Sequence, residues 1–227
     1  MQNKIQWFEC ETVDQMTQIV CERILKLSEE AIAEHGKFKF VLAGGKTPEK
    51  LYRLLAKQDT DWSKWFIYHG DERCLPVTHP DRNSVMAAKA FLNSVSIPKH
   101  QIFDIPTELG IEESVAMYRS IVEAAIPFDL VLLGMGEDGH TASLFPDHIH
   151  DKNALVHSIY NSPKPPAERV TLSAKALSNS QNVFFLIEGS NKREMLKKWR
   201  TGGDLPVSKI NALKNVVVFF DATVNTN

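Results

Sequence analysis

The chain has 227 residues, 43% of them hydrophobic and 24% charged, a composition that excludes a disordered polymer and supplies enough apolar surface for a packed core. Twenty-six basic residues against 28 acidic ones give a formal net charge of -2, which excludes the broad positive field that gathers nucleic acid or anionic membrane, so any anion site has to be local. The length exceeds the common domain of about 100–150 residues but stays within the range where α/β folds form one unit, and residues 1–227 are expected to form a single domain. Cys10, Cys21 and Cys74 are odd in number and lack paired spacing or neighbouring histidine ligands, so neither a disulfide framework nor a zinc site follows, and reduced thiols fit the cytoplasm. Met1 to Thr12 lacks a basic segment followed by an apolar run, and no stretch approaches ~18 apolar residues, so neither an export signal nor a membrane span is expected.

From Val13 to His35 the apolar residues Val13, Met16, Ile19, Val20, Ile24, Leu27 and Ala31 recur at helical spacing, with Thr12 and Gln15 as a capping box and Gly36 as the stop. Phe38 to Ala43 then reads as a strand ending in paired glycines, and Glu49 to Lys57 as the helix that follows. The alternation repeats: Trp65 to His69 is a strand and Asn83 to Leu92 a helix, Gln101 to Ile105 a strand and Glu112 to Ala125 a helix. Phe128 to Leu133 is nearly all apolar, as a central parallel strand covered on both faces must be. Ala154 to Tyr160, Val170 to Leu172, Val183 to Ile187 and Val216 to Phe220 read as further strands, Lys192 to Trp199 as a helix, and Val224 to Asn227 as a polar end expected to fray. The fold class is therefore α/β, a three-layer arrangement with a mainly parallel sheet flanked by helices, whose ligand site belongs beyond the carboxyl ends of the strands.

Four segments carry chemistry. Ala43-Gly44-Gly45-Lys46-Thr47-Pro48 lets backbone approach a phosphate at a helix start, while its spacing fits neither a Walker loop nor a dinucleotide fingerprint. Gly70-Asp71-Glu72-Arg73-Cys74-Leu75-Pro76 offers a guanidinium for bidentate phosphate binding; Asp71 and Glu72 either position Arg73 or form with it a buried ion pair that orders the loop. Just downstream, Asn83 or Ser84 is expected to cap a helix.

The third segment, Gly134 to Pro146, brings His140 and the carboxylates Glu137 and Asp138 to a glycine-rich strand end. A histidine there can take a proton from water and return it to a leaving oxygen, with Asp138 or Glu137 orienting it. His69, His79, His148, His150 and His157 lack such a setting and receive no role. The fourth, Ser162 to Thr171, is a proline-rich turn whose Lys164 and Arg169 are both able to close over a phosphate.

In this order, Gly44-Gly45-Lys46-Thr47-Pro48 preceded by Ala43, Gly70 to Pro76, Gly134 to Pro146, Ser162 to Pro166, Arg169 to Leu172 and Leu205 to Ser208 resemble the 6-phosphogluconolactonases over nearly the whole chain. The resemblance implies a fold related to the sugar-phosphate isomerases and deaminases, hydrolysis of 6-phospho-D-glucono-1,5-lactone in the pentose phosphate pathway, and no metal or organic cofactor. It also implies His140 as the catalytic group, beside which Asp138 is placed by its position in the loop with Glu137 still open, and Gly44, Gly45, Lys46, Thr47, Arg73, Lys164 and Arg169 as substrate and phosphate contacts. The expected partner is a small phosphosugar lactone, with no nucleic acid and no membrane; the sequence carries no signal for oligomeric state. Two alternatives stand beside it. A glucosamine-6-phosphate deaminase/isomerase would continue after the histidine toward Asn-Glu-Pro, where this chain reads Ser143-Leu144-Phe145-Pro146. A non-catalytic sugar-phosphate sensor would need a reporting element, and no helix-turn-helix or basic face is evident.

Overall fold

The computed structural model describes residues 4–149 and 151–224. Strands β1 (Gln6–Cys10), β2 (Phe38–Leu42), β3 (Trp65–His69), β5 (Ile102–Phe103), β6 (Phe128–Gly134), β9 (Ser180–Ile187) and β10 (Asn215–Asp221) form a seven-stranded sheet in the order β1-β10-β9-β6-β2-β3-β5, with every pairing parallel. The strands β4 (Asp71–Arg73), β8 (Arg169–Leu172) and β7 (Val156–Ile159) make a separate antiparallel sheet. Gly70 joins the two, donating its N–H to Leu42 O at 2.9 Å and accepting Leu172 N–H at 2.8 Å.

The central strands are apolar on both faces because both faces are covered. In β9, Val183, Phe185 and Ile187 belong to one core and Phe184 and Leu186 to the other; β10 divides in the same way, Val216, Val218 and Phe220 against Val217 and Phe219. One core is closed by α1 (Val13–His35), α2 (Lys46–Leu55) and α3 (Asn83–Ala90), through Met16, Val20, Ile24, Leu51, Tyr52 and Ala87. The other is closed by α4 (Ile111–Ala125), α5 (Ala174–Ser178), α6 (Arg193–Arg200) and the small sheet, through Tyr118, Val122, Leu177, Trp199 and Val170. Emptying one such position, as in Phe219→Ala, costs about 3–5 kcal/mol.

Several expected boundaries move, each for a local reason. The first helix starts as expected, with Thr12 Oγ1 accepting Gln15 N–H at 3.1 Å, but Gln15 Oε1 reaches back to Glu11 N–H at 2.7 Å rather than to Thr12. The second helix begins at Lys46, three residues early, because Thr47-Pro48 occupies its first turn, where proline sacrifices no helical bond. The 101–105 strand shrinks to two residues, since Gln101 closes a 3-10 turn and donates its side chain to Ser63 O and Trp65 O. Arg73 belongs to a short strand, not to a loop. Val224 is fully buried at the end of a 3-10 turn instead of fraying; residues 225–227 lie outside the described residues.

Among the described residues no helix is long and apolar enough to cross a membrane. Cys10, Cys21 and Cys74 are free thiols, and burial pushes Cys21 and Cys74 up to about 11.

Candidate active site

From the adjacent strands β2 and β6 the chain winds outward in opposite directions, to β3 and β5 on one side and to β9 and β10 on the other. Loops leaving such neighbours diverge and open a crevice between them. A cleft of about 340 Å³ lies there, bounded by Gly44 and Gly45 after β2, Gly70, Asp71 and Arg73 beyond β3, Met135, Gly136 and His140 to Ala142 after β6, Lys192 after β9, Lys164 from the loop between β7 and β8, and Arg169 from β8.

His140 faces this cleft, and its Nδ1 lies 2.5 Å from Asp138 Oδ1, which also accepts the His140 N–H at 3.2 Å. Burial pulls the imidazole below its ordinary pKa of 6.5; Asp138 opposes that, Lys164 reinforces it and Asp71 opposes it. Burial alone would raise the Asp138 carboxyl, yet the adjacent imidazole holds it below the ordinary carboxylate value. An ionised carboxylate this close fixes the proton on Nδ1 and leaves Nε2 as the basic nitrogen. Glu137 bonds Asn191 Nδ2 at 2.5 Å and does not reach the ring, so of the two carboxylates left open by the sequence, Asp138 is the one in contact.

The Gly70–Pro76 segment divides its charges in an unexpected way. Glu72 is fully buried and accepts the backbone N–H groups of Asn83 at 2.7 Å, Ser84 at 2.8 Å and Arg73 at 2.8 Å. The cap of α3 is therefore this carboxylate, not Asn83 or Ser84, as an anion at a helix start should be. Its ion-pair partner is Arg82, with Nε 3.5 Å from Oε2, and not Arg73. Arg82 also donates to Glu108 Oε2 at 3.1 Å and Ile105 O at 2.9 Å. That pairing leaves Arg73 with a bond to Asp81 O at 2.5 Å and an Nε that has no hydrogen-bond partner among the described residues.

Asn83 has a different task. Its Nδ2 donates to Asp71 O at 2.9 Å and Oδ1 at 3.0 Å, while Ser143 Oγ donates to Asp71 Oδ2 at 2.6 Å. The Asn83 amide also fills the space where residue 44 would carry a Cβ, 2.1 Å from its Oδ1, so glycine at 44 is a packing requirement as much as an opening for ligand.

Arg169 is buried and spends its donors on the loop it belongs to, Nη2 to Lys164 O and Pro165 O at 3.0 Å each and Nε to Pro166 O at 3.3 Å. Lys164 is exposed at the rim. Gly44, Gly45, Arg73, Lys164 and Arg169 are thus brought round one cleft with His140, whereas Lys46 and Thr47 are outside its lining. Lys46 points to solvent, and Thr47 Oγ1 donates to Glu188 Oε2 at 2.5 Å.

Sequence reasoning gave Lys192 no role, Asp71 only a part in positioning or pairing with Arg73 and Asn83 only that of a helix cap, yet all three line the cleft. Burial lowers the Lys192 pKa, Glu137 opposes that, and Lys164 lowers it further, so the two ammonium groups share one field. The signal for Lys192 was available: Gly189 follows the apolar β9 as Gly44 follows β2, with a lysine three residues on. Of the other histidines, His69 is buried 2.9 Å from Asp104 Oδ1, His79 lies 4.0 Å from Asp81, and His148 and His157 line a second cavity; His150 lies outside the described residues.

Residues 11–219 match the family described as glucosamine-6-phosphate isomerases/6-phosphogluconolactonase. The chain is 38% identical to a 6-phosphogluconolactonase of Synechocystis sp. over 176 residues, covering 74% of this chain and 73% of that one. It is 33% identical to the chloroplastic 6-phosphogluconolactonase 3 of Arabidopsis thaliana over 216 residues, 86% of this chain and 66% of the relative's length. The crystal structure of 6-phosphogluconolactonase from Thermotoga maritima superimposes with a TM-score of 0.91 at 32% identity, covering 96% of this chain and all of that one.

Proposed function

This chain belongs to the glucosamine-6-phosphate isomerase/6-phosphogluconolactonase family, and on that premise we propose that it is the enzyme that hydrolyses 6-phospho-D-glucono-1,5-lactone to 6-phospho-D-gluconate in the oxidative pentose phosphate pathway. The observation that carries the reading is the Asp138–His140 pair set into a cleft ringed by Arg73, Lys164, Arg169 and Lys192. A general base beside a cluster of cations suits a substrate with a hydrolysable carbonyl at one end and a phosphate at the other.

In the mechanism, Asp138 accepts a hydrogen bond from Nδ1–H, which stays on the ring, and Nε2 of His140 takes a proton from water as that water attacks the lactone carbonyl. The tetrahedral intermediate collapses by breaking the bond between the carbonyl carbon and the ring oxygen, and the imidazolium returns its proton to that oxygen. The carboxylic acid so formed ionises to carboxylate and releases the remaining water proton to solvent, and carboxylate and hydroxyl leave, so no covalent enzyme intermediate is needed. Such acid–base catalysis supplies roughly 10²–10⁴-fold, and holding the phosphate adds positioning. Lys164, Lys192 and Arg73 are the groups assigned to the phosphate; Arg169 contributes charge while it holds the Lys164 loop.

The deaminase reading needs a further carboxylate after the histidine, and positions 141–146 carry none. The three free thiols support a reducing compartment, for which we propose the cytoplasm. The test is the rate of acid release from freshly generated 6-phosphogluconolactone, measured against spontaneous hydrolysis. Acceleration that disappears in His140→Ala is expected. A folded protein that gives no acceleration, or that releases ammonia from glucosamine 6-phosphate, overturns the proposal.

A further inference from the structure

Phe145 lies five residues beyond His140 in the same loop and is 2% exposed. It takes no part in lining the catalytic cleft. It borders instead a separate cavity of about 610 Å³, together with His148, His157, Leu205 and Lys209. The Phe145 ring therefore stands as a partition, with His140 facing one cavity and Phe145 the other.

What touches that ring links two halves of the active site. The centroids of His140 and Phe145 are 4.8 Å apart, with planes inclined at 46°. The guanidinium carbon of Arg169 lies 5.7 Å from the centroid of the same ring, within the distance at which a cation is drawn to an aromatic face. Arg169 in turn holds the carbonyls of Lys164 and Pro165. A single side chain thus contacts both the base and the residue that fastens the loop carrying Lys164.

We propose that Phe145 is a positioning residue for lactone hydrolysis, its aromatic ring holding the His140 imidazole and the Arg169-anchored Lys164 loop at the spacing one substrate demands. The proposal rests on the lactonase reading for the identity of the reaction, but the contact itself does not. An aliphatic side chain fills similar volume without offering a π face to Arg169 or a flat wall to the imidazole, so a role as core filling and a role in positioning give different results on substitution. The other charged groups acting on the imidazole, Asp138, Lys164 and Asp71, are left in place by changes at 145.

The experiment compares wild type with Phe145→Leu and Phe145→Tyr. It measures thermal midpoint, kcat and KM for 6-phosphogluconolactone, and the titration of the His140 ring by NMR, with the resonance assigned by its loss in His140→Gln. Phe145→Leu is expected to stay folded, to lose about tenfold in kcat because the base is less well aimed, to raise KM several-fold, and to shift the His140 midpoint upward as water reaches the ring. Phe145→Tyr keeps the ring and is expected to stay within about twofold in both constants. Should leucine prevent folding, Phe145→Met, whose pliable chain fills the same space, carries the same expectations. Folded Leu or Met variants with unchanged kcat, KM and titration overturn the proposal, and so does a tyrosine variant as impaired as leucine. If wild type does not accelerate lactone hydrolysis, the lactonase reading falls, and the NMR titration alone still decides whether Phe145 holds His140.

Discussion

A side chain on residue 136 would occupy the place that His140 fills: a Cβ built on Gly136 lies 2.0 Å from His140 Nδ1 and 2.6 Å from Asp138 Oδ1. The absence of that one carbon is what allows the carboxylate and the imidazole to meet. Gly136→Ala is therefore expected to swing His140 away from Asp138 and to lower kcat by about 10²-fold, the scale of losing an aligned base. Circular dichroism and steady-state kinetics check it; a folded alanine variant with wild-type kcat would remove the close approach from the account.

Acid should silence the enzyme only below the ordinary histidine range. Burial holds His140 under 6.5, so the neutral, proton-accepting form persists to lower pH than in a free imidazole, and kcat/KM is expected to fall along a single limb with its midpoint below 6.5. Stability follows the same sign. His140 and His157 are both lowered by burial, the unfolded chain binds those protons first, and stability is expected to decline as pH falls from about 6.5 toward the folded-state values. Urea unfolding at a series of pH values measures this second effect, and a midpoint independent of pH between about 7 and 5 would contradict it.

The two cations of the proline-rich segment should separate in their effects. Lys164 is exposed at the rim, whereas Arg169 is buried with Nε and Nη2 committed to carbonyls. Lys164→Ala is expected to raise KM for the phosphorylated lactone several-fold, with little change toward unphosphorylated glucono-1,5-lactone and none in thermal midpoint. Arg169→Ala takes a donor from three carbonyls, of which Lys164 O keeps the Ser162 hydroxyl while Pro165 O and Pro166 O lose the Arg169 bond, and is expected to cost about 2–3 kcal/mol as well as activity. Equal losses of stability in the two variants would show that the assignment of roles is wrong.

Much of this was legible before any coordinates. Phe128 to Leu133 read as a central strand because two covered faces leave no polar alternation, and Gly134 to Pro146 stood out because glycines, a histidine and carboxylates gather at a strand end; that Gly136 and Gly139 also make room for His140 and Leu205 is visible only in three dimensions. Strand β1 escaped notice because an edge strand has one covered side, and Gln6–Cys10 buries only Cys10 fully. Glu72 was misread for a different reason. Its task as the cap of α3 and partner of Arg82 depends on bringing it together with Arg82, Asn83 and Ser84, 10, 11 and 12 positions along the chain, a relationship no spacing rule encodes. Lys46 and Thr47 show the converse, since adjacency in sequence to Gly44 and Gly45 does not place their side chains in the lining of the cleft.

Glu72 offers a test of that misreading. Glu72→Gln retains an acceptor for the Arg73 and Asn83 amides, which share Oε1, but removes the charge and the Oε2 that faces Ser84 N–H and the Arg82 guanidinium, 2% exposed, leaving Arg82 only the less buried Glu108 as a charged partner. A loss of about 3–5 kcal/mol is expected, as for breaking a buried ion pair from one side. Denaturant titration reads the loss directly. A variant within about 1 kcal/mol of wild type would mean that Glu108 and the carbonyls of Leu75 and Ile105 satisfy Arg82 by themselves.

Strand β1 pairs along its length with β10, Gln6 opposite Val217 and Cys10 opposite Asp221. On a ribosome adding about 5–20 residues per second, the earliest strand to emerge must wait for the latest before its hydrogen bonds can close. For that interval its partner edge on β10 does not yet exist, and the apolar faces of α1 and β9 have incomplete cover. Such long-range closure makes folding slow relative to helical proteins of similar size. It also makes the pairing of Trp7 with Val218 a marker for the finished molecule: fluorescence from Trp7, whose ring packs edge-on against Trp199 at 5.1 Å, reports the moment when the two ends of the chain have found each other.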